Sequence, residues 1–184
     1  MVRQNWDVIN SKIRAGKTVV VKDSFYRNFE LLVAHKDAVI KYFTFKDDVR
    51  RNDINKLEDI KGCVVGVHLR RKDYRVYADG KYFYEDEIIL KWMRQLQSER
   101  ECTFLVFSDE KIDKDNYHGL PVRFMDGNAG EDLCSMSQCE YLLAPLSTYA
   151  WMAHFLGENK LCIVEDRNAD VSFKDFRENV LGVV

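Results

Sequence analysis

Seven consecutive residues, His68-Leu69-Arg70-Arg71-Lys72-Asp73-Tyr74, hold the densest basic cluster of the chain, and Arg75 follows directly. A guanidinium offers a rigid fork of donors that matches phosphate oxygens. Adjacent arginines on an extended segment point to opposite faces, so one of Arg70 and Arg71 can meet an anion while the other is held by structure. Asp73 can orient an arginine or bond the backbone of the turn. The same residues also fit a solvated turn, the ordinary fate of a charge run. Two further polar groups follow apolar runs: Ser108-Asp109 after TFLVF, and Pro145-Leu146-Ser147-Thr148 after YLLA.

Those groups can act together only if the elements before them are neighbouring strands. Gly62 to Leu69, GCVVGVHL, is a nearly continuous apolar run and predicts a strand covered on both faces, as parallel sheets require. Thr103 to Phe107, Pro121 to Met125, Tyr141 to Ala144 and Leu161 to Val164 predict four more strands, and KTVVVK at 17–22 a further short one. Tyr84 to Glu99 is amphipathic through Ile88, Ile89, Trp92, Met93 and Leu96, and predicts a helix. Helical spacing also runs through the later part of 25–45. Glu131 to Cys139 opens with acidic residues where a helix dipole favours them. Thr148 to Leu156 predicts a helix closed by Gly157 as its C-cap, and Val171 to Asn179 a last helix. Asp126 to Gly130 reads as a loop, and Asp79-Gly80 as a turn. Strand and helix alternate, so the class is α/β, a mainly parallel sheet with flanking helices. Ligands of such sheets collect beyond the carboxyl ends of the strands, where all three polar groups lie.

Composition narrows the chemistry. The 184 residues carry 28 Lys+Arg and 30 Asp+Glu, a net charge of −2, which excludes a general nucleic-acid binder. The charge is uneven: residues 1–100 hold 21 basic and 15 acidic side chains, and 101–184 hold 7 and 15. Hydrophobic residues make up 46%, enough for a core and too many for a disordered chain. Five widely spaced cysteines, Cys63, Cys102, Cys134, Cys139 and Cys162, read as buried thiols rather than a disulfide framework. Neither GxGxxG nor GxxxxGK[ST] occurs, and His35, His68, His118 and His154 lack metal-ligand spacing. No signal-like apolar stretch opens the chain. The longest nearly uncharged stretch, Tyr141 to Leu156, is interrupted by Pro145 and His154 and is short for a membrane span. A cytoplasmic location is the default expectation, unless the chain was cut from a longer anchored parent.

The stretch His68 to Tyr74 resembles the His-x-Arg-Arg-x-Asp-Tyr motif of α-1,2-fucosyltransferases, glycosyltransferase family eleven, and of their α-1,6 and protein O-fucosyltransferase relatives. Gly80 to Tyr84, Phe104 to Glu110, Glu131 to Cys139 and Ser147 to Trp151 are also similar to that family, in order and at natural spacing. The resemblance covers roughly residues 18–165. Departures are Lys72 in place of the usual glycine, Tyr149-Ala150 in place of phenylalanine and serine, and the more polar Cys134-Ser135. The family's glycine-rich opening segment and most of its acceptor half have no counterpart here.

The resemblance implies a GT-B architecture, of which this chain is similar to the C-terminal, Rossmann-like, nucleotide-sugar-binding domain, and a Golgi lumen as the alternative location for a chain cut from an anchored parent. It implies inverting, metal-independent transfer of fucose from GDP-fucose to a glycan acceptor. A truncated GDP-sugar-binding domain or remnant without transferase activity is the alternative. Arg70 is implied as the catalytic group at the donor pyrophosphate. His68, Arg71, Asp73, Asp109, Asp132, Ser147 and Thr148 are implied on the donor side: His68 framing the pocket, Asp73 positioning the arginines, Asp109 and Asp132 near the nucleotide, Ser147 and Thr148 opening a helix toward phosphate. No cofactor and no metal are expected, and the partners are a nucleotide-sugar donor and a glycan acceptor, with no nucleic acid and no membrane segment. A missing acceptor half or a homodimer would complete the assembly. Residues 1–60 form a lead-in segment and 61–184 the donor-binding domain.

Overall fold

The computed structural model describes residues 6–20, 29–47, 49, 60 and 62–178. The chain divides into two compact units, Met1–Val39 and Ile40–Val184. In the first lie α1 (Trp6–Arg14), α2 (Phe29–Ala34) and the start of α3 (Lys36–Tyr42). Residues 17–20 have no regular structure, and 21–22 lie outside the described residues, as do 50–59 and 61 around the domain boundary expected at 60. A β-branched run becomes a strand only where a neighbour pairs with it.

The second unit carries the sheet. Its strands are β1 (Cys63–Leu69), β2 (Cys102–Ser108), β3 (Val122–Phe124), β4 (Tyr141–Pro145) and β5 (Lys160–Val164). They lie in the order β3-β2-β1-β4-β5. Every pairing is parallel. Between them run α4 (Asp86–Glu99), α5 (Ala129–Ser137) and α6 (Thr148–Gly157). The order reverses at β1: the chain steps outward to β2 and β3, then returns to β4 on the other side. That reversal makes the gap between β1 and β4 the switch point of the sheet.

Side-chain alternation splits the core into two layers. Val65, Val67 and Leu69 of β1, Phe104 and Val106 of β2, and Leu143 of β4 pack with Ile89, Trp92, Met93 and Leu96 of α4. On the opposite face Gly66 presses against Cys139, just past α5; a Cβ there would come within 2.9 Å of its Sγ. All five cysteines are free and buried. Burial pushes the Cys102 and Cys162 thiols up to about 12. Among the described residues no helix is long and apolar enough to cross a membrane.

Three local expectations need correction. The stretch 126–130 is not all loop: Asn128 caps α5, accepting from Gly130 and Glu131 while Glu131 bonds back to Asn128, a capping box. Gly157 is not the left-handed terminator of α6; Glu158 is, at φ 57°. Gly157 is there for closeness, because a Cβ would stand 1.8 Å from the Ser137 carbonyl oxygen. The helix expected from Val171 is a single turn, Phe173–Asp175, after which Arg177 pairs antiparallel with Leu161. Phe173 and Phe176 both pack edge-on against Tyr141, and that aromatic contact anchors an otherwise extended segment.

Candidate anion site at the sheet switch point

Register sets the site. Leu69 stands opposite Ser108 at the ends of β1 and β2, so Arg70 and Asp109 leave the sheet side by side. Between β1 and β4 the last pair is Val67 with Leu143, although both strands continue for two more residues. His68 is therefore the first β1 residue beyond the last β1–β4 pair, where the two strands part, and Ser147 follows β4 on the far bank.

Arg70 is the half-exposed member of the arginine pair. Its guanidinium lies 2.9 Å from Asp73 and 3.0 Å from Asp109. The other Asp109 oxygen accepts the backbone N–H of Arg71 at 2.9 Å and that of Lys72 at 3.4 Å. One carboxylate thus holds both the start of the loop and its arginine side chain. Arg71 turns to the α4 layer and bonds Asp86 in the first turn of that helix. Asp86 also accepts from Asn116 and Tyr117, each at 3.0 Å. Burial opposes its charge, yet the bonds from Asn116, Arg71 and Tyr117 outweigh it and hold its carboxyl below the usual range. Arg75 is paired with Glu110 and lies 4.6 Å from the centre of the Phe83 ring.

His68 is 4% exposed. Burial first, and the nearby Arg70 charge, lower its pKa to about 4 against the pull of Asp109, so the imidazole is neutral at pH 7. Its Nε2 is 3.4 Å from Ser147 Oγ, and its Nδ1 has no hydrogen-bond partner among the described residues. Ser147 is the N-cap of α6 but makes no side-chain cap bond, so its hydroxyl leaves the first-turn N–H groups of that helix uncapped. Thr148 is exposed in that turn. Tyr149 packs at 5.3 Å against His68, and its hydroxyl donates to the Ala129 carbonyl. The charge of Asp132, in the first turns of α5, reaches the same hydroxyl; burial above all raises the Tyr149 pKa.

The structure therefore gathers His68, Arg70, Asp73, Asp109 and Ser147 at the crevice where β1 and β4 part, whose enclosed space, against Arg71 and Pro145, is only about 10 Å³. Arg71 lies against α4 instead, and Asp132 joins through Tyr149. Spacing alone does not point to Tyr74, which spans the crevice: its ring lies 5.7 Å from the Arg70 guanidinium and its hydroxyl donates to the Leu146 carbonyl at 2.6 Å. Its place as last residue of the basic motif was the available signal. Beyond β2 and β3 a broader cleft of about 830 Å³ is lined by residues 108–115 and 124–127. Its carboxylates, Asp109, Glu110, Asp113, Asp115 and Asp126, outnumber Lys111 and Lys114, so a phosphate is disfavoured there. Among the described residues no group of three His, Cys, Asp or Glu side chains could hold a metal ion.

The model of one family, described as glycosyl transferase family 11, matches residues 21–181. No curated protein matches the chain. Among solved structures, NodZ alpha-1,6-fucosyltransferase soaked with GDP-fucose is similar at 13% identity and a TM-score of 0.47, covering 65% of this chain and 45% of that one. POFUT1 in complex with GDP is similar at 11% identity and a TM-score of 0.47, covering 70% of this chain and 48% of that one. The chain spans less than half the length of either.

Proposed function

The chain belongs to glycosyl transferase family 11, and from that membership we propose that it binds GDP-fucose at the β1–β4 crevice and transfers fucose to a glycan acceptor with inversion. The observation that carries the proposal is Arg70, fixed by Asp73 and Asp109 where the strand order reverses. As the sugar–phosphate bond breaks, negative charge grows on the leaving diphosphate. A guanidinium already in place stabilises that charge without reorganising. In this reading Arg70 does the work a divalent cation would do elsewhere, and transfer proceeds in excess EDTA. The uncapped N–H groups of α6 supply further donors to the phosphates. Neutral His68 closes the crevice floor without placing a second full charge beside Arg70. Asp132 takes the donor edge of the base. Asp109 serves as a positioning residue, because its oxygens are already occupied by Arg70 and by the Arg71 and Lys72 amides.

A second reading is favoured by one observation. Four carboxylates around the crevice are in ion pairs: Asp73 and Asp109 with Arg70, Glu110 with Arg75, Asp86 with Arg71. A carboxylate so held is a poor general base for an acceptor hydroxyl. The chain would then be a donor-binding domain without turnover of its own.

Incubation with GDP-fucose and a panel of oligosaccharides, followed by GDP release and product mass, separates the two. Release that rises with a glycan supports transfer. Binding of GDP-fucose with no release supports the second reading, and no binding of GDP-fucose overturns both.

A further inference from the structure

The segment after the basic motif displays aromatic surface at a conformational cost. Tyr74, Tyr77 and Tyr82 form a triangle, with centroids 5.3 Å apart for Tyr74–Tyr77, 6.5 Å for Tyr74–Tyr82 and 6.3 Å for Tyr77–Tyr82. Tyr77 is 49% exposed, and its ring stacks on Tyr74 with the planes 24° apart. The turn that presents them places Ala78 at φ 49°, Asp79 at φ 56° and Gly80 at φ 75°. Two consecutive left-handed residues with side chains are costly, and such conformations persist where the surroundings over-determine them, often at ligand sites. Here the surroundings are clear. The Lys81 amide bonds the Ala78 carbonyl and the Phe83 amide bonds that of Gly80; a Cβ on Gly80 would stand 3.2 Å from the Arg75 carbonyl oxygen. Tyr74 is pinned across the crevice to Leu146.

The platform continues the Arg70 site. Tyr74 carries the guanidinium 5.7 Å from its ring centre and has Tyr77 stacked on it, so Tyr77, with Tyr82 beside it, presents the exposed aromatic surface. Lys81 lies 4.9 Å from the centre of the Tyr82 ring, and Asp79, two residues earlier in the turn, is exposed. Flat aromatic faces rimmed by hydroxyl, ammonium and carboxylate groups suit one chemistry in particular. A pyranose ring has a face of C–H groups that stacks on an aromatic ring and an edge of hydroxyls that bonds polar neighbours.

We propose that the Tyr74–Tyr77–Tyr82 platform is the acceptor subsite, stacking a pyranose ring of the acceptor glycan beside Arg70. The placement rests on the donor reading above: an acceptor hydroxyl must reach the sugar carbon attached to the diphosphate, so its ring must sit within a few atoms of the arginine that holds the phosphate. Stacking fixes the ring plane, while Asp79 and Lys81 read the hydroxyl edge.

Saturation-transfer NMR with methyl β-D-galactopyranoside, methyl β-D-glucopyranoside and lactose tests this, run with and without GDP beside a calorimetric GDP titration. The expected result is transfer to ring C–H protons of at least one sugar. Tyr77→Ala should weaken that binding roughly 5-fold, the size of one lost aromatic contact, with GDP affinity unchanged. Tyr77→Phe should retain it, and because Tyr77 is half exposed both variants should fold. Sugar binding that survives Tyr77→Ala, or absence of sugar binding by a wild-type chain that binds GDP, overturns the proposal. So does a concentration-dependent dimer that Tyr77→Ala dissolves, since the aromatic surface would then serve a second copy of the chain. Sugar binding lost on Tyr77→Ala in a chain that ignores GDP supports the platform and counts against the donor reading alone.

Discussion

Replacing Asp109 with alanine removes two functions of one carboxylate. The first is the acceptor for the Arg71 amide at 2.9 Å. A hydrogen bond to a charged group contributes about 1.5–3 kcal/mol. The second is the pair with Arg70 at 3.0 Å, whose guanidinium side is 37% exposed, so solvent screens it to about 0–1 kcal/mol. Together the loss is about 1.5–4 kcal/mol, a fall in thermal midpoint of roughly 3–16 °C for a chain of this size. Arg70 would keep only Asp73, and ordering it again on binding costs about 0.5–1.5 kcal/mol, so GDP affinity should fall roughly 2- to 10-fold. Asp109→Asn keeps a carbonyl acceptor for the Arg71 amide and should recover about half of the stability loss. Thermal unfolding and calorimetric GDP titration of the three proteins read both effects. An unchanged midpoint with a loss of GDP affinity beyond about 100-fold would show that Asp109 touches the nucleotide directly, and would refute the positioning argument.

Three other outcomes follow from the same geometry. The His68 pKa is lowered to about 4 from an ordinary value near 6.5, so between those pH values the unfolded chain binds a proton that the folded chain refuses. Stability should be full above about pH 6.5 and fall as the pH drops toward 4, by up to about 3 kcal/mol; His68→Gln should flatten the midpoint-versus-pH curve in that window, and an unchanged slope contradicts the assignment. Gly157→Ala would force a Cβ to within 1.8 Å of a backbone oxygen of Ser137, so α5 and α6 must separate. It should cost about 3 kcal/mol or more, read by denaturant titration, whereas Gly66→Ala, which meets the movable Leu142 and Cys139 side chains, should cost less; the reverse order would contradict the packing account.

The sheet was legible in the sequence because parallel strands covered on both faces read as apolar runs, and GCVVGVHL, TFLVF and YLLA are such runs. The opposite orientation of Arg70 and Arg71 was legible too, from the two-residue period of an extended chain. What decided the rest was tertiary. Nothing in spacing reveals that Asp86, in the first turn of α4, receives Arg71, or that Tyr74 crosses to Leu146, because each pairing depends on where two distant segments come together. The start of α5 lies inside DGNAG, whose glycines resemble a loop, although Asn128 followed three residues later by Glu131 is a capping signal. Gly157 stands where a terminal glycine commonly does, yet its position is set by the neighbouring helix backbone. The stretch from Val171 has helical spacing but docks its phenylalanines on Tyr141, and packing overrode propensity.

The central claim is that the Arg70 guanidinium holds the diphosphate of the donor. Calorimetric titration of GDP in excess EDTA, with wild type, Arg70→Lys and Arg70→Ala, tests it most directly. The account predicts metal-independent binding by the wild type, a loss of about 10- to 100-fold for Arg70→Ala, and only partial recovery by Arg70→Lys, whose point charge lacks the planar fork. Equal GDP affinity in wild type and Arg70→Ala, with both proteins folded, would contradict it.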